Sequence, residues 1–309
     1  MRWLVGSRIL ADRPRKAPLL KLLFLLASRL PLRLLHVIGG IAGRLIYRFG
    51  GSYRVHFDAN LAQAGYTDDA TRRAAIAEAG KSLCELPAVW LRPPDQVARL
   101  VVETLGWELV DLAHAANRPL IFLTPHLGCF EIAAQVYAHR APADRPITVL
   151  YRRPRKTGLT PLIESGRGRP RMKLAPADLS GVRALIRALR HREAAGLLPD
   201  QTPNQGEGVW APFFGKPAYT MTLVKRLARA SDAVILLAFA ERLSRGRGYR
   251  LTIRAFDEPL ADDLTAATTQ INRALEGLIR QCPAQYLWSY DRYRAPRGAN
   301  RQARRDENA

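Results

Sequence analysis

His126 and Glu131 are the two residues of this chain whose types and spacing suit acid/base chemistry. An imidazole titrates near neutral pH, at about 6.5 when unperturbed, so it can take a proton and return it. On a helix beginning near Leu127, the Glu131 carboxylate would turn back towards the ring. There it would fix the tautomer and stabilise the imidazolium, leaving the other nitrogen to accept a proton. A structural histidine beside a glutamate fits the same spacing, so spacing alone does not decide. Cys129, three residues past His126, offers a nucleophilic Cys–His pair as one reading and small-residue packing as the other. Arg152 and Arg167 present planar guanidinium forks suited to phosphate or carboxylate, whereas Arg153, Arg155 and Lys156 read as a solvated charge run. Asp200 is either a turn-former before Gln201-Thr202-Pro203 or a second carboxylate on the same sheet edge as His126.

The elements that would carry these residues alternate. Leu120–Leu123 is a wholly apolar run stopped by Pro125, which predicts a buried strand delivering His126 at its end. A helix to about His139 should follow, then a second strand at 147–151 that ends at Arg152. A helix over 178–192 capped by Asp178, a strand over 194–198 ending before Asp200, and strands over 233–240 and 249–256 complete the pattern. A helix over 68–86 is expected to end at Pro87, and a long one should span 262–280. Alternating strands and helices predict an α/β fold: one domain, residues 51–295, with a central mixed or mostly parallel sheet flanked by helices.

Residues 19–50 should form a membrane-associated helical segment ahead of that domain, with residues 1–18 as a basic arm and 296–309 as a disordered basic tail. The segment is strongly apolar, but Lys21, Arg29 and Arg33 break it, and its longest uncharged run, residues 34–43, is about half of the ~20 residues a spanning helix needs. Arg29, Arg33, His36, Arg44 and Arg48 fall within one helical arc. That amphipathic pattern suits a membrane interface, and a core-facing helix pair would show it too. The net charge of +21, from 48 Lys and Arg against 27 Asp and Glu, favours polyanionic partners: nucleic acid, an anionic membrane or an acidic protein. A nucleic-acid-binding protein is the alternative of another class, but no helix-turn-helix, zinc-finger or aromatic RNP-like pattern supports it. Three scattered cysteines give neither a disulfide framework nor a metal site. Gly206-Glu207-Gly208-Val209-Trp210-Ala211 matches a dinucleotide fingerprint in letters only, because prolines flank it where a strand and a helix are required.

The box His126-Leu127-Gly128-Cys129-Phe130-Glu131 resembles the H-x4-E/D box of lysophospholipid and glycerolipid acyltransferases. More specifically, the chain resembles the lipid A late acyltransferases, the lauroyl/myristoyl transferase group. The resemblance runs through Tyr151-Arg152, Gly166-Arg167, Leu198-Pro199-Asp200-Gln201, the segment Gly208-Val209-Trp210-Ala211-Pro212-Phe213-Phe214-Gly215, and Gln285-Tyr286-Leu287-Trp288, covering roughly residues 20–295. It implies transfer of an acyl chain from an acyl carrier protein thioester to a hydroxyl of a lipid A precursor, at the cytoplasmic side of the inner membrane, with no cofactor and no metal. It also implies His126 as the base, a functional arginine at Arg167 with Arg152 beside it, Asp200 in the active-site region as an organiser of the arginines, and Val209–Gly215 as part of the acyl-transfer cleft. Phe213 and Phe214 would then wall an acyl chain, or else belong to the core. A different glycolipid or a lysophospholipid acceptor is the alternative within the same chemistry.

Overall fold

The computed structural model describes residues 17–152 and 166–296. The basic arm and tail read from the sequence, and Arg153, Arg155 and Lys156, lie almost wholly outside those residues. Among the described residues six helices come first: α1 (Ala17–Arg29), α2 (Leu32–Phe49), α3 (Gly51–Gln63), α4 (Asp69–Cys84), α5 (Leu86–Leu91) and α6 (Pro94–Arg99). Then follow β1 (Val101–Leu105), α7 (Glu108–Ala115), β2 (Leu120–Leu123), α8 (Phe130–Arg140), β3 (Ile147–Tyr151) and β4 (Met172–Pro176). The rest is α9 (Leu179–Arg190), β5 (Ala194–Leu197), β6 (Gly208–Phe213), β7 (Lys216–Met221), α10 (Leu223–Ala230), β8 (Val234–Arg242), β9 (Tyr249–Ala255) and α11 (Leu264–Ile279).

Seven strands form one sheet in the order β1-β9-β8-β2-β5-β3-β4. The five from β8 to β4 run parallel, while β9 is antiparallel to β8 and parallel to β1. The strand alternation divides the core in two. Leu120 and Phe122 face α8, with Val136, Ala194 and Ala238, whereas Ile121 and Leu123 face α9, α10 and α11, with Leu185, Leu227 and Ile271. Parallel strands covered on both faces are buried throughout, and all four residues of β2 are. The expected α/β architecture with a mostly parallel sheet is what the chain adopts.

Three local details go beyond the sequence reading and have simple causes. Pro87 does not merely stop α4; it sits in the first turn of α5, where its missing N–H costs nothing. Residues 208–221 form a separate two-stranded antiparallel ribbon in which Pro212 faces Pro217. Of the basic arc, His36 differs from Arg33, Arg44 and Arg48 in being buried. It lies on the inner face of α2 beside Gly39 and Gly43 and is buried against Glu85, with Nε2 3.2 Å from Oε2.

The glycines let α2 press onto α4: a Cβ at Gly43 would meet the Ile76 carbonyl at 2.3 Å. The outer faces of α1 and α2 carry exposed Leu22, Leu25, Leu26, Val37, Ile38, Ile41 and Leu45. Among the described residues, no helix is long and apolar enough to cross a membrane.

Candidate active site

Parallel strands deliver their carboxyl ends to one edge of the sheet, the edge where open α/β folds bind ligands. His126 follows β2, Arg152 follows β3, and Asp200 and Gln201 follow β5, so residues far apart in sequence meet there. The loop after β2 is tightly held. Gly128 has φ +59°, and a Cβ on it would lie 2.0 Å from the Ala240 carbonyl, so only glycine fits.

Asp200 holds His126 twice. Its Oδ2 accepts the His126 backbone N–H at 2.9 Å, and its Oδ1 lies 2.8 Å from Nδ1 of the ring. A carboxylate at Nδ1 places the ring proton there, which makes Nε2 the acceptor. The Gln201 carboxamide N–H donates to Nε2 at 3.1 Å, in agreement with that tautomer. Burial pushes the Asp200 carboxyl up. The His126 imidazole, its two hydrogen bonds and the charge of Arg292 outweigh this and hold it below its usual value. It is therefore ionised at neutral pH.

This corrects the role first given to Glu131. The carboxylate on the ring is that of Asp200, which follows β5, the strand paired directly with β2 but 74 residues away in sequence. Glu131 instead forms a two-pronged pair with Arg167, whose Nε donates to Oε2 at 2.9 Å and whose Nη2 donates to Oε1. Asp200 thus organises the histidine rather than the arginines. The Arg167 guanidinium also lies over the Trp90 ring, 5.5 Å from its centre, and Trp90 stacks on Phe24 of α1. Arg152 reaches the Thr202 carbonyl at 3.3 Å.

A cavity of about 300 Å³ runs between α8 and the sheet from this cluster. His126, Glu131, Arg152, Arg167 and Gln201 line its polar end, and Phe122, Tyr137, Val149, Gly196, Ala238 and Ile253 line its apolar part. None of residues 208–215 lines it. Phe213 and Phe214 pack instead into the core on the opposite side of the sheet, with Tyr286 and Trp288. Of their two readings, packing holds, because the ribbon that carries them folds against α11 rather than against α8.

Cys129 is buried, and burial followed by the nearby Glu85 charge drives its thiol well above the usual range. A protonated, enclosed thiol is a packing residue. Among the described residues no three His, Cys, Asp or Glu side chains converge as metal ligands would. Gln201 is the residue that sequence reasoning missed. It was visible only as the fourth letter of the Leu198–Gln201 motif.

A hydrogen-bonded base at the mouth of an apolar cavity suits group transfer to or from a long hydrocarbon chain. The sequence comparisons decide which family performs it: residues 15–295 match the model of the bacterial lipid A biosynthesis acyltransferases. The chain belongs to that family. It is 25% identical over 276 residues to the lipid A biosynthesis lauroyltransferase of Escherichia coli K12, covering 87% of this chain and 88% of that one. It is 28% identical over 216 residues to the palmitoleoyltransferase of the same strain, covering 70% and 68%. With the E. coli K12 myristoyltransferase it shares 24% over 255 residues, 80% and 76% of the two chains. The protein is thus an acyltransferase of lipid A biosynthesis, and its acceptor is a lipid A precursor.

Proposed function

We propose that this acyltransferase takes its acyl chain from an acyl carrier protein thioester and places it on a hydroxyl of the lipid A precursor, with His126 as general base. The observation that carries the reading is the Asp200–His126 bond at the polar end of the apolar cavity. The Nε2 lone pair, now facing Gln201, accepts the hydroxyl proton as the oxygen attacks the thioester carbon. The carbon–sulfur bond then breaks, and the proton passes from Nε2 to the leaving thiolate. Asp200 keeps the ring in the productive tautomer and stabilises the imidazolium. Neither step needs a covalent enzyme intermediate, because both substrates meet at one edge of the sheet.

Arg167 and Arg152 supply positive charge at the mouth for phosphate groups of either substrate and for the oxyanion formed on attack. Glu131 orients Arg167. The N-terminus of α8, where Phe130 and Glu131 border the cavity, adds its partial positive charge.

The exposed apolar faces of α1 and α2, with Arg33, Arg44 and Arg48 also exposed on α2, support a monotopic position on an anionic membrane. On this reading the enzyme works at the cytoplasmic face of the inner membrane, where its basic surface receives the carrier protein. The test is transfer by the purified full chain from an acyl carrier protein thioester against the same acyl group on coenzyme A, with the lipid A precursor as acceptor. A clear preference for the carrier protein is expected. Equal use of both donors would remove the donor assignment.

A further inference from the structure

The Gln285-Tyr286-Leu287-Trp288 motif has no part in the chemistry above, yet its backbone is the splint on which the His126 loop rests. The Leu287 N–H donates to the His126 carbonyl at 3.0 Å, and the Gly128 N–H donates to the Gln285 carbonyl at 3.0 Å. Leu127 and Tyr286 pair in antiparallel fashion, while on its other side Gly128 pairs with Ala240 of β8. The loop is therefore one rung between the end of β8 and the 285–287 segment.

The side chain of Gln285 closes this arrangement. Its Oε1 accepts the Arg242 backbone N–H at 2.8 Å, and its Nε2 donates to the Arg242 carbonyl at 2.9 Å. One carboxamide thus satisfies both backbone groups of the last residue of β8, as a neighbouring strand would. The Arg242 side chain is fixed in turn. It forms a two-pronged pair with buried Glu85, bonds to Glu78, and reaches the Gly128 carbonyl at 3.3 Å.

The imidazole stands on this splinted loop and Asp200 follows β5, while Tyr286 of the splint also hydrogen-bonds the Asp200 carboxylate. The 2.8 Å bond between imidazole and Asp200 holds only if loop and strand keep register. We propose that Gln285 is a positioning residue for His126: its carboxamide locks the 285–287 segment to β8 and so sets where the imidazole stands against Asp200 and the cavity. The inference rests on His126 acting as the base, as argued under the proposed function.

The test uses the full-length chain with Gln285→Met, which keeps length and removes both carboxamide bonds. Misplacing a reacting group by about 1 Å costs on the order of 10²-fold, so kcat should fall about 10- to 100-fold with the donor KM within about threefold. In a His126→Ala background the same change should cost nothing further, because the residue it positions is gone. Independently of activity, the deshielded His126 Nδ1–H proton, assigned by its absence in His126→Ala, should weaken or shift in the NMR spectrum of Gln285→Met. Wild-type kcat with an unchanged Nδ1–H signal would overturn the proposal, as would a full additional loss in the His126→Ala background. Should Gln285→Met not fold, Gln285→Glu keeps an acceptor for the Arg242 N–H and faces the same comparisons, with a smaller loss expected. If wild type transferred no acyl chain, the functional reading would fail, while the Nδ1–H signal would still decide the part played by Gln285.

Discussion

Replacing Asp200 by asparagine separates the two carboxylates of the site. In wild type both Asp200 oxygens accept, one from the His126 backbone N–H at 2.9 Å and one from Nδ1–H at 2.8 Å. Asparagine offers one oxygen and one NH2 group. If the oxygen stays on the backbone, the NH2 faces Nδ1 and drives the proton to Nε2. That nitrogen can then no longer accept, and it also meets the Gln201 N–H donor 3.1 Å away. If the oxygen stays on the ring, a buried NH2 faces the backbone N–H, two donors together at a cost of about 1–3 kcal/mol. The wrong tautomer behind a catalytic imidazole costs up to about 10⁴ in kcat, and about 10³–10⁴ is expected here, or about 4–5.5 kcal/mol of barrier. Steady-state transfer by the purified variant measures it, with donor KM changing little. Glu131→Gln, which only loosens Arg167, should fall less. The reasoning would be refuted if Asp200→Asn stayed within about tenfold of wild type while Glu131→Gln lost about 10³.

Three further outcomes follow from other parts of the molecule. Gly196 lies in the cavity wall with an ideal Cβ 3.3 Å from Val149 Cγ2, so Gly196→Val intrudes on the chain. Valine adds three side-chain carbons, so the transferred acyl group should shorten by about three carbons. Mass spectrometry of products from a mixed donor pool checks this, and an unchanged chain profile from an active variant would contradict the cavity assignment. Burial raises the Glu85 carboxyl, but its ion pair with Arg242 outweighs this and brings it down to about 2 in the folded chain. A group depressed by folding adds stability that is present above its unfolded value, about 4.3, and is lost as pH falls through the folded one. Wild type should accordingly lose on the order of 3 kcal/mol from this group between about pH 5 and pH 2. Urea denaturation of Glu85→Gln should show a shallower acid slope and, at neutral pH, a loss of about 3–5 kcal/mol from leaving Arg242 underpaired; an unchanged slope would remove the claim. Finally, Ile38→Asp with Ile41→Asp should weaken sedimentation with anionic phospholipid vesicles at least tenfold, since each buried isoleucine contributes about 1.5–3 kcal/mol. Equal sedimentation of variant and wild type would argue against α2 as the membrane face.

The sequence was most legible where one residue type dominates a short stretch. Leu120–Leu123 is apolar throughout and closed by a proline, and the strand has those bounds. Asp178 as the cap of α9 was equally readable, since its carboxylate accepts the Ser180 and Gly181 N–H groups. Prolines misled where pairing overrode propensity: Pro212 and Pro217 face one another in a ribbon that the sequence reading did not expect. The site was legible in its members more than in its pairings. His126, Arg152 and the sheet-edge position of Asp200 could be read from strand ends, and Arg167 from the Gly166-Arg167 motif of the family resemblance. Which carboxylate meets the imidazole depends on β5 lying beside β2, a matter of strand order that no local spacing encodes. For the same reason Glu85 and Arg242, 157 residues apart, gave no sign of their pairing. Phe213 and Phe214 had equal claims to cavity and core, because burial gives both the same composition.

The most direct test of the central claim is mass spectrometry of lipid A from a host lacking this chain, complemented with wild type, His126→Ala or Asp200→Asn at matched protein levels. The account predicts that wild type restores one acyl chain and that His126→Ala and Asp200→Asn each restore at most a trace. Full restoration by His126→Ala would contradict the claim that this imidazole, held by Asp200 at the mouth of the cavity, is the base of the transfer.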